Sequence, residues 1–309
     1  MQTILGSGGA VAIELAKELK KYTNKVRLVA RNPKKVNADD EIVVANLLDK
    51  KLINDAVAGS DVVYLTAGLE YNIKVWRRDW PVIMQNVIDA CIAHNAKLVF
   101  FDNVYMYAPE EIPHMTEESG IAPATQKGKV RAELIRMIFD AIKNKNLTAM
   151  VTRSADFYGK NVKTGFLNIG VFDNFKKNKK AFWQSDANKI HSFTYVSDAA
   201  KAVALLGNTP DAYDQVWHLP TSSERWTGKD FINYIATQMN VKPRYYFLSK
   251  FMISLFGIFS PTVKELKEMQ YQNDRDYFFD STKFDNKFKL PPTTYEKGIK
   301  ETITENTPS

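Results

Sequence analysis

The sequence predicts an α/β fold in which helices cover both faces of a doubly wound parallel sheet. From residue 1 to about residue 150, short β-branched segments alternate with amphipathic helical segments. This alternation is typical of parallel βαβ units. The strand segments are almost entirely apolar, as expected for strands that are buried on both faces.

The predicted elements follow one another in a regular order. Strands are predicted at 1–5, 26–30, 42–45, 61–66, 97–101 and 148–152. Apolar residues at helical spacing predict helices at 10–21, 81–94 and 128–143. Strands that alternate with helices in this way indicate successive βαβ units.

The alternation weakens in the second half of the chain. A helix is predicted at 166–180, ending in a lysine cluster that either contacts substrate phosphates or is simply solvated. Short strands are predicted at 193–196 and 216–219, and a helix at 226–239 with Thr227 as its N-cap. Residues 240–309 are aromatic-rich and are predicted to be irregular.

Length and composition indicate two domains. The chain has 309 residues, with 45% hydrophobic and 25% charged side chains, which is ordinary for a globular protein. We expect a nucleotide-binding domain at 1–160, with later strands returning from 190–220. A smaller α/β substrate domain is expected mainly at 161–309.

Charge, cysteine content and hydropathy narrow the partners and the location. The net charge of +7 permits anionic partners, but no nucleic-acid-binding motif accompanies it. The single cysteine, Cys91, allows no internal disulfide, and the four histidines show no metal-ligand spacing. The longest apolar stretch, 251–259, is shorter than the roughly 20 residues of a membrane span. We therefore expect a cytoplasmic monomer or homodimer that acts on a small molecule, without metal, nucleic acid or membrane.

The strongest motif is a glycine loop between the first strand and the first helix. Its glycines at Gly6 and Gly9, with Ala12, fit the pattern G-x-x-G-x-x-[G/A]. Glycines permit a tight turn there, and the amides of the helix N-terminus can approach a pyrophosphate. The residues predicted to contact a dinucleotide in this loop are Gly6, Ser7, Gly8, Gly9, Ala10 and Val11.

The ends of the next three strands extend this predicted dinucleotide site. Arg31 follows the second strand, where an NAD-preferring site has Asp or Glu, so the sequence favours NADP over NAD. Asn46 and Leu47 follow the third strand, where they can contact an adenine. Three small residues follow the fourth strand and leave room for the cofactor: Thr66, Ala67 and Gly68.

At this point the sequence resembles the NAD(P)-dependent epimerase/dehydratase group of extended or atypical short-chain dehydrogenases/reductases. The resemblance covers roughly residues 2–303 and is carried by the segments 4–10, 61–68, 98–107, 153–159 and 193–201. It implies a Rossmann domain with a seven-stranded parallel sheet and a smaller C-terminal substrate domain. It also implies hydride transfer at a carbon bearing a hydroxyl or carbonyl group, in a nucleotide sugar or a related small molecule.

The family's catalytic Ser/Thr, Tyr and Lys are all replaced in this chain. Asn103 stands at the Ser/Thr position, Lys127 at the tyrosine position and Arg131 at the lysine position. We expect Lys127 to transfer a proton or stabilise charge, Arg131 to clamp a ribose, and Asn103 to polarise a carbonyl. Tyr105 and Tyr107, after the fifth strand, are alternative proton donors or ordinary packing residues.

The resemblance also implies further cofactor contacts and leaves alternatives open. The residues implied are Asp102, Lys127, Arg131, Ser154, Ala155, Asp156 and Phe157. Trp76 and Trp80 either shape the pocket or pack under a helix. The only Y-x-x-x-K pattern, at 246–250, is interpreted as coincidence. Besides an enzyme, the sequence is compatible with a catalytically silent NADP-binding sensor and, on charge alone, with a nucleic-acid-binding protein.

Overall fold

The computed structural model describes residues 1–248, 252, 265 and 267–305. These residues form two compact units. Unit 1 comprises Met1–Met106, Lys127–Ser154 and Ala199–Leu219. Unit 2 comprises Tyr107–Gln126, Ala155–Asp198 and the described part of Pro220–Ser309.

Strands and helices alternate along the described chain. The strands are β1 Gln2–Leu5, β2 Val26–Ala30, β3 Glu41–Val44, β4 Val62–Leu65, β5 Lys97–Asp102, β6 Ala149–Arg153, β7 Asp156–Tyr158, β8 Ala181–Gln184, β9 Phe193–Tyr195, β10 Val216–His218 and β11 Tyr245–Leu248. The α-helices are α1 Ala10–Leu19, α2 Lys50–Val57, α3 Ile73–Ala93, α4 Gln126–Lys145, α5 Asp173–Lys176, α6 Val196–Gly207, α7 Gly228–Gln238, α8 Thr282–Phe288 and α9 Tyr295–Glu305.

Unit 1 is built on a seven-stranded sheet in the order β10-β6-β5-β4-β1-β2-β3. Every strand pair in it is parallel. The central strands β1 and β4 are buried along their whole length, because helices pack on both faces. The predicted α/β class with a doubly wound parallel sheet is confirmed.

Three predicted elements differ from the structure. Helix α3 begins at Ile73 rather than at residue 81, because Asn72 caps it and Pro81 is accommodated inside the helix. Of the helix predicted at 166–180, Asn168–Phe172 is π-helical and only Asp173–Lys176 is α-helical. Asn178 then turns the chain with a left-handed φ of 53°. Helices α8 and α9 form within 240–305, where irregular structure was predicted.

Unit 2 combines two short parallel strand pairs, β11–β8 and β7–β9, with an aromatic core. Trp183, Phe193, Phe231 and Tyr295 are fully or almost fully buried in it. The aromatic-rich composition of this part of the chain therefore serves packing. Across the described ranges, no helix is both long and apolar enough to span a membrane.

Candidate active site

The glycine loop forms a turn that only glycine accommodates at its first position. Gly6 has a φ of +89°, and a Cβ there would lie 2.5 Å from the Cα atom of Ala67. The amide of Gly6 donates to the carbonyl of Val29 over 2.9 Å. The chain therefore leaves β1 in close contact with the segment that follows β4, at the carboxyl edge of the sheet.

The rest of the loop leaves its backbone accessible. No heavy atom lies within 4 Å of the position a Cβ would take at Gly8 or at Gly9. Gly9 is the N-cap of α1 without a side-chain hydrogen bond, and the first helical turn carries no acidic residue. The buried hydroxyl of Ser7 has no hydrogen-bond partner among the described residues. An accessible backbone, a helix N-terminus and an orphaned hydroxyl together fit the pyrophosphate of a dinucleotide.

The other two loop residues contribute less. Ala10 is half-buried as the first residue of α1, and Val11 is buried with its side chain in the core. Only their backbone atoms are therefore suited to contact a ligand at this turn.

The residues after β2 and β3 are largely exposed. Arg31 is exposed and makes no ion pair within the described part of the chain. The side-chain oxygen of Asn46 accepts from the amide of Leu48 over 3.2 Å, which fixes its orientation. Leu47 is half-buried, and its carbonyl accepts from Asn86 over 3.1 Å.

The residues after β4 adjoin the glycine turn. The Thr66 hydroxyl donates to the carbonyl of Leu5 over 3.3 Å, and its amide donates to the same oxygen over 3.0 Å. Ala67 contacts Gly6, whereas Gly68 is open on the side where a Cβ would project. Thr66 and Ala67 are half-buried and Gly68 is exposed at the carboxyl end of β4.

The two cations of the predicted catalytic set lie on one face of α4. Lys127 and Arg131 are one helical turn apart, and both side chains are buried. The ammonium of Lys127 lies 4.4 Å from the ring centre of Tyr71. Lys129, between them, is exposed. The helix therefore directs both side chains into the interior of unit 1.

Arg131 is enclosed by aromatic rings. Its guanidinium carbon lies 4.3 Å from the ring centre of Trp80, 4.9 Å from Trp76 and 5.7 Å from Phe100. Both tryptophans are buried, so they pack here. Such contacts stabilise a desolvated guanidinium.

Asp102 supplies the opposing charge. Its carboxylate lies 3.4 Å from Nη1 of Arg131 and 3.9 Å from Nε of Arg153. Burial raises the pKa of Asp102 above its ordinary value, although both arginines oppose that shift. Burial lowers the pKa of Arg131, and Asp102 opposes this in turn. The end of β5 thus holds a buried ionic cluster.

Asn103 and Tyr105 follow this cluster. The side-chain oxygen of Asn103 accepts from the amide of Tyr105 over 3.0 Å, so its NH₂ group faces away from that bond. The Tyr105 ring stacks on Trp76 with centroids 6.2 Å apart and an interplanar angle of 14°. Asn103 and Tyr105 are half-buried, whereas Tyr107, in unit 2, is fully buried.

Four predicted cofactor residues follow β6. Ser154 is buried in unit 1, and its amide donates to the carbonyl of Asp102 over 3.3 Å. Ala155, Asp156 and Phe157 belong to unit 2.

In unit 2, the amide of Ala155 donates to the Thr194 hydroxyl over 3.1 Å, and Phe157 is half-buried in β7. Asp156 lies 3.0 Å from Nε2 of His191. The sequence does not predict this contact, because no local pattern connects residues so far apart in the chain.

The remaining expectations from the sequence concern a metal site, the Y-x-x-x-K pattern and the longest apolar stretch. No group of three or more His, Cys, Asp or Glu side chains is placed to hold a metal among the residues that the structure describes. The Y-x-x-x-K pattern at 246–250 ends at residues 249 and 250, which lie outside the described residues, as does nearly all of the apolar stretch 251–259.

The sheet order and the glycine turn define a doubly wound α/β protein of the Rossmann type. The family model described as "NAD dependent epimerase/dehydratase family" matches residues 3–219. Because this match spans more than half of the chain, the chain belongs to that family. A search of the curated proteins found no sequence that matches it.

Solved structures share the fold over the full chain. UDP-N-acetylglucosamine 4-epimerase from Bacillus cereus is 16% identical, with a TM-score of 0.78, covering 100% of this chain and 97% of its own. The dTDP-glucose 4,6-dehydratase DesIV double mutant from Streptomyces venezuelae, with NAD and DAU bound, is 12% identical with a TM-score of 0.82, covering 99% and 96%. The UDP-glucose 4-epimerase of Thermus thermophilus, in complex with NAD, is 16% identical with a TM-score of 0.78, covering 99% and 98%. At these identities the likeness shows the fold.

Proposed function

We propose that this protein is an NADP(H)-preferring oxidoreductase or epimerase with a replaced catalytic set. It acts at a hydroxyl- or carbonyl-bearing carbon of a nucleotide sugar or a related small molecule. The observation that carries the proposal is the open glycine turn in the same unit as the inward-facing pair Lys127 and Arg131. In this proposal residues 1–160, with strands returning from 190–220, bind the cofactor, and 161–309 mainly bind the substrate.

The cofactor would be held by backbone amides more than by side chains. Gly8 and Gly9 would bind the pyrophosphate through their amides, and Ser7 through its orphaned hydroxyl. Asn46 and Leu47 would flank the adenine. The other predicted cofactor residues would contact the rest of the dinucleotide. A bound nicotinamide supplies the hydride donor or acceptor.

Arg31 supports NADP over NAD. Its guanidinium is exposed at the end of β2 and is not engaged in an ion pair with any described residue. A planar guanidinium binds a phosphate in bidentate fashion, whereas the ribose hydroxyls of NAD call for a carboxylate. The 2′-phosphate of NADP therefore matches the residue present.

The proposed chemistry divides the work among four side chains. Lys127 donates or accepts the proton at Nζ, since its amine can exchange protons. Arg131, held by Asp102 and the tryptophans, clamps a ribose and supplies positive charge. Asn103 donates from its NH₂ group to a carbonyl oxygen, and Tyr105 is the alternative proton donor.

Calorimetric titration of the cofactor-free protein with NADPH and NADH tests the cofactor assignment. We expect tighter binding of NADPH, and we expect Arg31→Ala to weaken NADPH at least tenfold while NADH is unchanged. Arg136→Ala, an exposed arginine on α4, is the matched control and should leave both titrations unaltered. Binding of neither nucleotide would refute the proposed function and its non-enzymatic alternative together.

Turnover of a panel of nucleotide sugars tests the catalytic assignment, with absorbance at 340 nm reporting net oxidation or reduction and chromatography of the products reporting epimerisation. We expect Lys127→Ala to reduce turnover at least 100-fold, the range that general acid–base catalysis contributes. The exposed Lys129→Ala on the same helix should turn over at the wild-type rate. Unchanged turnover in Lys127→Ala would remove Lys127 from the mechanism.

A catalytically silent NADP-binding sensor is the second candidate. The enclosure of Arg131 and its pairing with Asp102 favour it, because a permanently charged, sealed guanidinium exchanges no proton near neutral pH. A sensor binds NADPH in the titration, but it neither changes the absorbance at 340 nm nor converts any nucleotide sugar into a new product. The cytoplasmic location and the monomeric or homodimeric state stay predictions from the sequence.

A further inference from the structure

Unit 2 carries an open groove whose lining side chains lie in the proposed substrate-binding part of the chain but have no role assigned to them there. It encloses about 430 Å³ and is lined by Trp226, Asp230, Asn233, Tyr234 and Thr237. Four of these residues lie on α7, where positions three, four and seven apart share one face. None of them belongs to the predicted cofactor or catalytic residues.

The side chain of Trp226, which lines the groove, is fixed by contacts with neighbouring aromatic rings. The ring of Trp226 contacts Phe231 at 5.2 Å, Tyr295 at 5.5 Å and Tyr234 at 5.3 Å between centroids. Its backbone carbonyl accepts from the amide of His191 over 3.0 Å. Because the packing fixes the ring orientation, a ligand meets a preorganised surface and loses little binding energy to ordering it.

The polar side chains that line the groove have hydrogen-bonding atoms that are not used within the described part of the protein. One oxygen of Asp230 closes the capping box with Thr227, at 2.8 Å from the Thr227 amide. The other Asp230 oxygen, the Asn233 amide and the Tyr234 hydroxyl have no hydrogen-bond partner within the described ranges. The Thr237 hydroxyl donates to the carbonyl of Asn233 and can still accept. Donors and acceptors thus stand beside the partly exposed side chains of Trp226 and Tyr234.

We propose that this groove binds a neutral sugar ring. A pyranose has an apolar face of C–H groups that packs on an aromatic ring, and a rim of hydroxyls that both donate and accept. The groove offers both surfaces, and its volume lies within the roughly 300–1,000 Å³ of ligand sites. Asp230 is the single charged side chain among its lining residues, so it disfavours phosphate and carboxylate ligands.

Saturation-transfer NMR on the full chain tests the groove directly. The probes are D-glucose, D-galactose and N-acetyl-D-glucosamine, with inorganic phosphate titrated separately by ³¹P line broadening. We expect saturation transfer to at least one sugar, strongest at its ring C–H protons, and no broadening of phosphate by the groove. Absence of transfer to every sugar would overturn the proposal.

Variants on one helix separate this groove from the proposed active site. We expect Asn233→Ala and Thr237→Ala, both exposed, each to weaken the sugar at least fivefold. Lys229→Ala, exposed on the same helix but outside the lining, should bind like the wild type. NADPH titrations should be equal in all three, so loss of nucleotide binding and loss of sugar binding are independent results.

Other outcomes would place the ligand or the partner elsewhere. Undiminished sugar binding in the Asn233→Ala, Thr237→Ala double variant would locate the sugar outside the groove and refute the proposal. Phosphate broadening that this double variant abolishes would refute the neutral class. Sedimentation that changes from a dimer in the wild type to a monomer in the double variant would identify the groove as a contact between copies and also overturn it.

Discussion

At the scale of single residues, the ionic cluster at the end of β5 shows how local context sets a side chain's role. Asp102 and Arg131 are both almost completely buried and lie 3.4 Å apart. A buried ion pair gains about as much from attraction as it loses to desolvation. Its net contribution is therefore small, but removal of one partner leaves the other charge buried without compensation.

We expect Asp102→Asn to lower the free energy of unfolding by about 3–5 kcal/mol, because it leaves Arg131 buried without its counter-charge. Urea denaturation measures this loss. Asp55→Asn, which removes an exposed carboxylate paired with Lys51, is the control and should leave the denaturation midpoint unchanged. Equal midpoints for Asp102→Asn and the wild type would show that the cluster is not ionised in the folded protein.

Cys91 illustrates burial acting on a thiol. The side chain is buried in α3, and desolvation raises its pKa to about 12. Because the thiolate is the nucleophile, the thiol is expected to be nearly inert at pH 8.

Ellman's reagent should therefore modify Cys91 at pH 8 only after the protein is unfolded. The measurement is the time course of absorbance with native and with urea-denatured protein. Full modification of the native protein on the timescale of the denatured control would contradict the burial of this thiol.

At the scale of elements, the two glycines of the glycine turn differ in the space around them: Gly6 is crowded and Gly8 is open. At Gly6 a Cβ would overlap the backbone of Ala67, and the φ of +89° is unfavourable for any other residue. At Gly8 a Cβ would meet nothing within 4 Å. Gly6 is therefore required by the fold, whereas Gly8 is required only if a ligand approaches the loop closely.

This difference predicts opposite phenotypes for two matched substitutions. Gly6→Ala should lower the free energy of unfolding by at least about 1–3 kcal/mol through backbone strain and overlap. Gly8→Ala should cost less than about 1 kcal/mol, yet weaken NADPH, because a methyl group then occupies the proposed cradle. Urea denaturation and calorimetry measure the two effects, and equal stabilities would contradict the steric assignment.

The N-terminus of α7 depends on a reciprocal cap. Thr227 accepts from the amide of Asp230, and the Asp230 carboxylate accepts from the amide of Thr227. We expect Thr227→Ala to lower the free energy of unfolding by about 1 kcal/mol. Thr227→Ser keeps a hydroxyl at the N-cap and should retain most of that stabilisation. Thermal unfolding of the two variants side by side measures this, and equal losses would show that the hydroxyl does not act as a cap.

At the scale of the whole molecule, the predicted ligand contacts concentrate in one of the two units. All predicted cofactor residues except three, Ala155, Asp156 and Phe157, belong to unit 1. A ligand that binds only the folded state suppresses opening of the segments that hold it.

Hydrogen exchange with and without NADPH should therefore show protection concentrated in unit 1, in peptides covering residues 6–12, 31 and 66–68. Exchange in α7 of unit 2 is expected to be unaltered. Protection confined to unit 2 would contradict the placement of the cofactor, and NADH at equal concentration controls for the 2′-phosphate.

The sequence by itself was sufficient for the parallel sheet. Strand β4 is recognised because it is a short, wholly apolar run, and β1 because it ends in two apolar residues directly before the glycine loop and a helix. Both patterns are local. The N-cap at Thr227 was equally readable, since a cap depends on residues three apart. The start of α3 was not, because Pro81 is a local signal for a helix start that tertiary packing overrides here.

The tertiary structure alone decided the surroundings of each candidate side chain. Arg131, expected to clamp a ribose, lies among Trp76, Trp80 and Asp102, which come from distant parts of the chain. The approach of His191 to Asp156 likewise depends on the folded chain. Hydrophobic periodicity and helix capping depend on residues close together in the chain, so the sequence predicts them. Desolvation and charge pairing depend on neighbours that only the complete fold brings together.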